Sequence, residues 1–269
     1  MQITAPGLDL NEFDLITDRK NLRALYNFVK SGKKQWGRHR IDAEIVNGTV
    51  LFYLGWSGSG YGYYQSYGMK FEKKFTTPLS KGTIQHCRVI EYGLGGLKMM
   101  VKYQVDACLN DGRNLSMITS QAESSTGMTS TGFRITHSGT IVAPHNIVEI
   151  KTISTGYRPD HPRTLTQLWF SRTPILMAGY HDRNGRFSSV EKIDVEATGA
   201  LDQWEEQNTE TLQKIIRLLE MVKTQLLSSP IKRQAIVLTN LRSYDCVEFY
   251  SLSDDYEMGL PDDLRRKWA

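Results

Sequence analysis

An apolar run over residues 140–148 ends in Glu149-Ile150-Lys151, and this ending restricts the folds open to the chain more than any other stretch. In an extended segment, side chains two apart share a face, so Glu149 and Lys151 project together while Ile150 turns away from them. A core strand has little use for two charges on one face, because a buried ion is costly unless it is paired or bound to a metal. The run therefore predicts a strand whose charged face is either a solvated cross-strand ion pair or one wall of a site. Upstream, a second strand ends in Tyr103-Gln104-Val105-Asp106 and contributes another carboxylate. Asp106 and Glu149 offer hard oxygen ligands for a divalent ion, and Lys151 a cation able to orient a water or steady a phosphate charge.

A length of 269 residues, 40% of them hydrophobic and 23% charged, suffices for a substantial core and predicts one domain over residues 1–269. The net charge of +4 suits a polyanionic partner without requiring one. Cys87, Cys108 and Cys246 lack Cys-x-x-Cys spacing, which argues against a zinc ribbon or disulfide framework and for a reducing intracellular compartment, nuclear or cytoplasmic. Residues 1–14 carry acids rather than a basic stretch followed by an apolar one, and no apolar run approaches the ~20 residues that span a bilayer. No membrane association is expected.

Helical spacing of Leu22, Leu25, Tyr26 and Val29 predicts a helix over 18–30, and Asn47-Gly48 divides 40–54 into a hairpin. Ser57-Gly58-Ser59-Gly60 lacks the lysine of a phosphate loop and reads as a connector into a helix over 63–77. Strands are expected at 83–92 and 97–109, then a long polar excursion over 111–131 with room for a short helix, whose functional alternative is a lid or substrate loop, then strands at 132–137 and 140–152. A helix over 163–171 is bracketed by Pro162 and Pro174, and a hairpin joins 175–180 to 187–195. The clearest helix covers 201–227, with Trp204, Leu212, Ile215, Ile216, Leu219, Val222 and Leu226 in one apolar stripe. Strands over 234–241 and 246–252 precede a charged tail, 254–269, expected to be loosely held. The mixture predicts an α+β fold: central, largely antiparallel sheets flanked by helices.

The six histidines lack zinc-ligand spacing, and no serine sits in a Gly-x-Ser-x-Gly context. Zinc enzymes and serine hydrolases of that type are thereby disfavoured. Lys70, Lys73 and Lys74 surround Glu72, and Lys98 and Lys102 precede Asp106, so these cations could track a nucleic-acid backbone or solvate a face. Tyr61, Tyr63, Tyr64 and Tyr67, with Trp56, could stack bases, although core packing explains them too.

In order along the chain, these features resemble the PD-(D/E)xK nuclease superfamily, and within it the DXO-type decapping nucleases and their fungal relatives. Gly68-Met69-Lys70-Phe71-Glu72 resembles that family's Gly-x-Lys-Phe-Glu helix, Gln104-Val105-Asp106 its Glu-x-Asp strand, and Glu149-Ile150-Lys151-Thr152 its Glu-hydrophobic-Lys-Thr strand. Gln167 fits the glutamine of the following helix, and Ala178-Gly179-Tyr180-His181-Asp182 resembles the Gly-Phe-Arg-Asp segment after it. The resemblance runs from about residue 21 to residue 250, with Arg23 standing for an arginine near the first motif.

This resemblance implies a metal-dependent nuclease acting on RNA 5′ ends by decapping of incomplete or non-canonical caps, 5′ pyrophosphate release or 5′-to-3′ degradation, and it allows a 5′–3′ exoribonuclease as protein partner. Glu72, Asp106, Glu149 and the carbonyl of Ile150 would hold one or two Mg²⁺ or Mn²⁺ ions. Lys151 would be catalytic together with Asp106, Glu149 and Gln167, while Arg23, Lys70, Lys102, Gln104 and Gln167 would contact substrate. Gln104 departs from the family pattern: an amide is a poorer ligand for such an ion than a carboxylate. A catalytically weakened RNA-binding or partner-docking relative is therefore the alternative, and a DNA nuclease of the wider superfamily a third.

Overall fold

The computed structural model describes residues 7–30, 37–54, 67–78, 85–109, 124–128, 132, 134–137, 142–241, 244–253, 256 and 259–268. Its elements run β1 (Leu15–Asp18), α1 (Arg19–Lys30), β2 (Gly37–Val46), β3 (Thr49–Leu54), α2 (Tyr67–Phe75), β4 (His86–Leu94), β5 (Leu97–Val105), β6 (Ala107–Cys108), β7 (Ser124–Met128) and β8 (Arg134–His137). There follow β9 (Ile147–Ser154), α3 (Pro162–Ser171), β10 (Ile175–His181), β11 (Phe187–Asp194), α4 (Ala200–Ser228), β12 (Arg233–Leu241), β13 (Tyr244–Ser251) and α5 (Asp262–Arg265). The fold is α+β, with mostly antiparallel sheets flanked by helices. Its contacts form two compact units, Met1–Gly60 with Val89–Tyr103 and Asn208–Ala269, and Tyr61–Arg88 with Gln104–Gln207.

The first unit holds a seven-stranded sheet in the order β13-β12-β2-β3-β1-β5-β4. Asn47 (φ 47°) and Gly48 (φ 89°) both take the left-handed conformation that a two-residue hairpin turn demands, and they join β2 to β3 with Val46 opposite Thr49. Leu22, Leu25 and Tyr26 of α1 are buried, as are Leu212, Ile215, Leu219, Val222 and Leu226 of α4. Both stripes read from the sequence are therefore core stripes.

The expectation of a loose C-terminal tail is corrected. Trp268 is buried against Val46 and Leu51, its Nε1 donates to Thr49 Oγ1 at 3.2 Å, and Arg265 pairs with the buried Glu44. An apolar anchor and a buried carboxylate hold down a segment that its charge alone made look solvated.

The second unit contains a four-stranded sheet, β11-β10-β9-β6, and the hairpin-like pair β7-β8. β9 and β10 run parallel, from Val148 opposite Ile175 to Ser154 opposite His181. The strand expected over 140–152 begins only at Ile147, because Pro144–Asn146 forms a 3-10 turn in front of it. Pro144 has no N–H to give to a ladder. The polar excursion contains β7 at 124–128, and the rest of the expected lid, like the glycine-rich connector and Trp56, Tyr61, Tyr63 and Tyr64, lies outside the described residues.

Candidate active site

Two faces of β9 are put to different uses. Ile150 is buried with Val148, Ile175 and Phe71, the last brought in by α2. Gly179 on β10 makes that approach possible, since a Cβ there would lie 2.5 Å from the Phe71 ring. Tyr67 secures the start of α2, its ring 4.8 Å from that of His181, its hydroxyl donating to Arg183 O at 3.2 Å. Glu72 follows Phe71 directly, so packing of the phenylalanine fixes where this acid is presented.

The opposite face of β9 carries Glu149 and Lys151. Glu149 is 2% exposed, and its Oε1 accepts from both Lys151 Nζ and the side-chain amide of Gln167. Gln167 stands on α3, whose Leu168 packs with Leu176 and Val195. Pro162 starts that helix and Arg172 ends it in a left-handed conformation (φ 48°). The alternation of Glu149, Ile150 and Lys151 across the strand is as the sequence predicts.

Asp106 sits between β5 and β6, where the expected single strand over 97–109 breaks. Ala107 pairs with Val148, and beyond that point the Asp106 carboxylate replaces the ladder, accepting from the Ile150 N–H at 2.9 Å. The Ile150 N–H thereby holds this acid in place.

Burial pushes the Asp106 carboxyl up to about 7, and the charge of Glu149, within hydrogen-bond reach, pushes the same way; the Ile150 N–H and Lys151 pull against them. Two carboxyls in such contact share a proton. Glu72 is also raised, first by burial and then by Glu149, with Lys151 opposing. Glu72 and Asp106 thus each feel the charges of Glu149 and Lys151.

Among the described residues, no three His, Cys, Asp or Glu side chains close into a metal-holding group; the acids meet pairwise through Glu149. Their chemistry nonetheless fits a hard divalent cation. The donors are carboxylate oxygens, and both the burial and the Glu149 repulsion that raise Asp106 are costs that such an ion would offset.

The proposed substrate contacts are less concentrated. Gln104 is exposed, its Oε1 accepting from Gln85 Nε2 at 3.0 Å. Lys70 is exposed and two residues before Glu72, a spacing that sets the pair on different sides of α2. Arg23, half-buried on α1, and Lys102, exposed on β5 opposite Asp18, belong to the first unit. His181, at the arginine position of the last motif, is buried between the rings of Tyr67 and Phe187. Sequence reasoning passed over this aromatic support, whose signals were Gly179 and also Gly185, which lies against Tyr67.

One family model, described as "Domain of unknown function (DUF8563)", matches residues 2–268. No curated protein matches the chain in sequence. Among solved structures, S. pombe Rai1 superposes with a TM-score of 0.58 at 14% identity, covering 88% of this chain and 71% of its own. Candida albicans Rai1 in complex with pU5-Mn²⁺ gives 0.60 at 13% identity, covering 96% and 75%. K. lactis Dxo1 in complex with manganese gives 0.56 at 8% identity, covering 96% and 70%. At these identities the likeness is one of fold.

Proposed function

Proceeding from a chain that belongs to the family described as "Domain of unknown function (DUF8563)" and has the fold of Rai1 and Dxo1, we propose that it is a metal-dependent nuclease acting on RNA 5′ ends. One observation carries the reading: Asp106 and Glu149 are packed so closely that burial and repulsion raise Asp106 to about 7, with Glu72 and Lys151 in the same field. The manganese in the Candida albicans and K. lactis structures and the pU5 in the former support the same ion and substrate class for this chain.

Glu72, Asp106 and Glu149 would hold the ion. A bound Mg²⁺ or Mn²⁺ supplies Lewis acidity, polarising a phosphoryl oxygen and making water a nucleophile near neutral pH. The chain's own groups set up the reaction. Gln167 fixes Glu149 through Oε1, and the Ile150 N–H fixes Asp106 through Oδ2. Lys151, held against Glu149, would set a positive charge beside the phosphoryl oxygens on which negative charge grows. Incubating the protein with Mn²⁺ and RNAs labelled at capped, triphosphate or monophosphate 5′ ends should release product from at least one; no product from any of them defeats the proposal.

Gln104 favours a second reading, in which the fold is kept for RNA binding or partner docking and cleavage is weak. Its amide is turned to solvent and to Gln85. Under that reading, labelled RNA binds without being cut, and Gln104→Glu restores cleavage.

A further inference from the structure

The first unit contains a groove that the proposed chemistry does not use. It encloses about 250 Å³ on the sheet face of β2, β12 and β13 and is lined by Arg40, Ala235, Val237, Tyr250, Ser253 and Tyr256, among others. Strand register explains the lining: Ala235 stands between Asp42 and Tyr250, and Val237 between Arg40 and Glu248, so two small side chains form a floor between polar walls.

Arg40 is held ready at one wall. Its Nε donates to Oδ1 of the buried Asp42 at 2.6 Å, and its guanidinium lies 5.0 Å from the centre of the Tyr256 ring. Tyr256 in turn donates to Asp42 Oδ2 at 2.9 Å, so the three side chains lock one another. Among the described residues, Nη1 and Nη2 of Arg40 and the hydroxyls of Ser251 and Ser253 have no protein acceptor or donor. An arginine clamped by its Nε and stacked on a ring keeps a planar two-pronged edge for a carboxylate or phosphate.

We infer that this groove binds a singly charged carboxylate carried on a flat apolar body, with the anion on the Arg40 Nη edge and the body over Val237 beside Tyr250. The local charge balance selects a monoanion. Asp42 already offsets Arg40, and Glu248, which pairs with Arg38 at 3.9 Å and accepts from Tyr250, lies across the floor. A phosphate dianion would find Arg40 and Arg38 each already offset, by Asp42 and by Glu248.

The test is to titrate ¹⁵N-labelled full-length protein with benzoate, with its neutral counterpart benzamide, and with inorganic phosphate, following the amide signals of Ala235, Val237 and Tyr250. Benzoate should shift them saturably and benzamide should not. Arg40→Lys keeps the charge and loses the fork, so affinity should fall about tenfold. Val237→Trp fills the groove while leaving Arg40 on Asp42; it should abolish the shifts with the remaining spectrum intact. The inference is overturned if benzoate shifts nothing, if benzamide matches it, if Val237→Trp still binds, or if phosphate binds more tightly than benzoate.

Discussion

Each unit holds a close pair of acids, and the two pairs are treated in opposite ways. In the first unit, Asp42 and Glu44, each 1% exposed, stand two apart on β2. Asp42 receives Arg40 and the Tyr256 hydroxyl; Glu44 receives Arg265, the Tyr53 hydroxyl and the Leu260 N–H. Glu44 holds the Tyr53 phenol well above its ordinary range, after burial itself. In the second unit, Asp106 and Glu149 receive Lys151, the Gln167 amide and the Ile150 N–H, and they repel each other. A carboxylate pair that serves stability is given a cation each. A pair left short of positive charge is stored strain, and strain of this kind gathers where a ligand is to be bound.

Substitutions should separate the two pairs, the largest effect coming from Lys151→Ala. It should lower the cleavage rate by about 10²–10³-fold, in the range of a lost charge-stabilising group, with little change in RNA affinity. Equal loss of rate and binding would make Lys151 a docking residue. Next, Arg265→Ala strands Glu44 without its cation and should cost about 3 kcal/mol, lowering the melting temperature by roughly 6–12 °C while leaving metal binding unchanged. An unaltered melting temperature would remove the contrast between the units.

Asp106→Asn should do the reverse in metal-free protein. Folding raises the Asp106 pKa from 3.8 to about 7, so between those pH values the native state binds more protons than the unfolded one and stability falls as pH rises. The variant lacks this loss. Its advantage should be absent below pH ~4, grow towards pH ~7 and then level off at about 1–2 kcal/mol, a magnitude reduced for the partial exposure of the site. Thermal melts across pH measure it, and an advantage at acid pH would show the wrong sign. The smallest effect belongs to Gln104→Glu, expected to raise Mn²⁺-dependent cleavage about tenfold if its carboxylate joins the ion; no gain would place residue 104 outside the centre.

What could be read from the sequence follows the range of the interactions. The Glu149-Ile150-Lys151 alternation, the Asn47-Gly48 turn and the apolar stripes of α1 and α4 are local, and strand or helix period alone specifies them. Gathering of Glu72, Asp106 and Glu149 was legible only from the order of motifs, because nothing local in Phe71-Glu72 points to β9; Gly179 makes that meeting possible. The docked tail was missed because Trp268 finds its partners Val46, Leu51 and Thr49 some 220 residues away, and the contact leaves no period in the chain. The break at Asp106 was missed because Val105-Asp106-Ala107 alternates like a continuous strand, and only the Ile150 N–H distinguishes a capping carboxylate from a paired residue.

The central claim is that the undercompensated acids of the second unit form a divalent-ion centre. Isothermal titration of the protein with Mn²⁺ at pH 8, set beside Glu149→Gln under the same conditions, tests it most directly. Saturable binding to the native chain is expected, weaker at pH 6, where Asp106 holds its proton, with a loss of about 10²-fold or more in affinity in the variant. Equal Mn²⁺ affinity in the two proteins, or none in either, would contradict it.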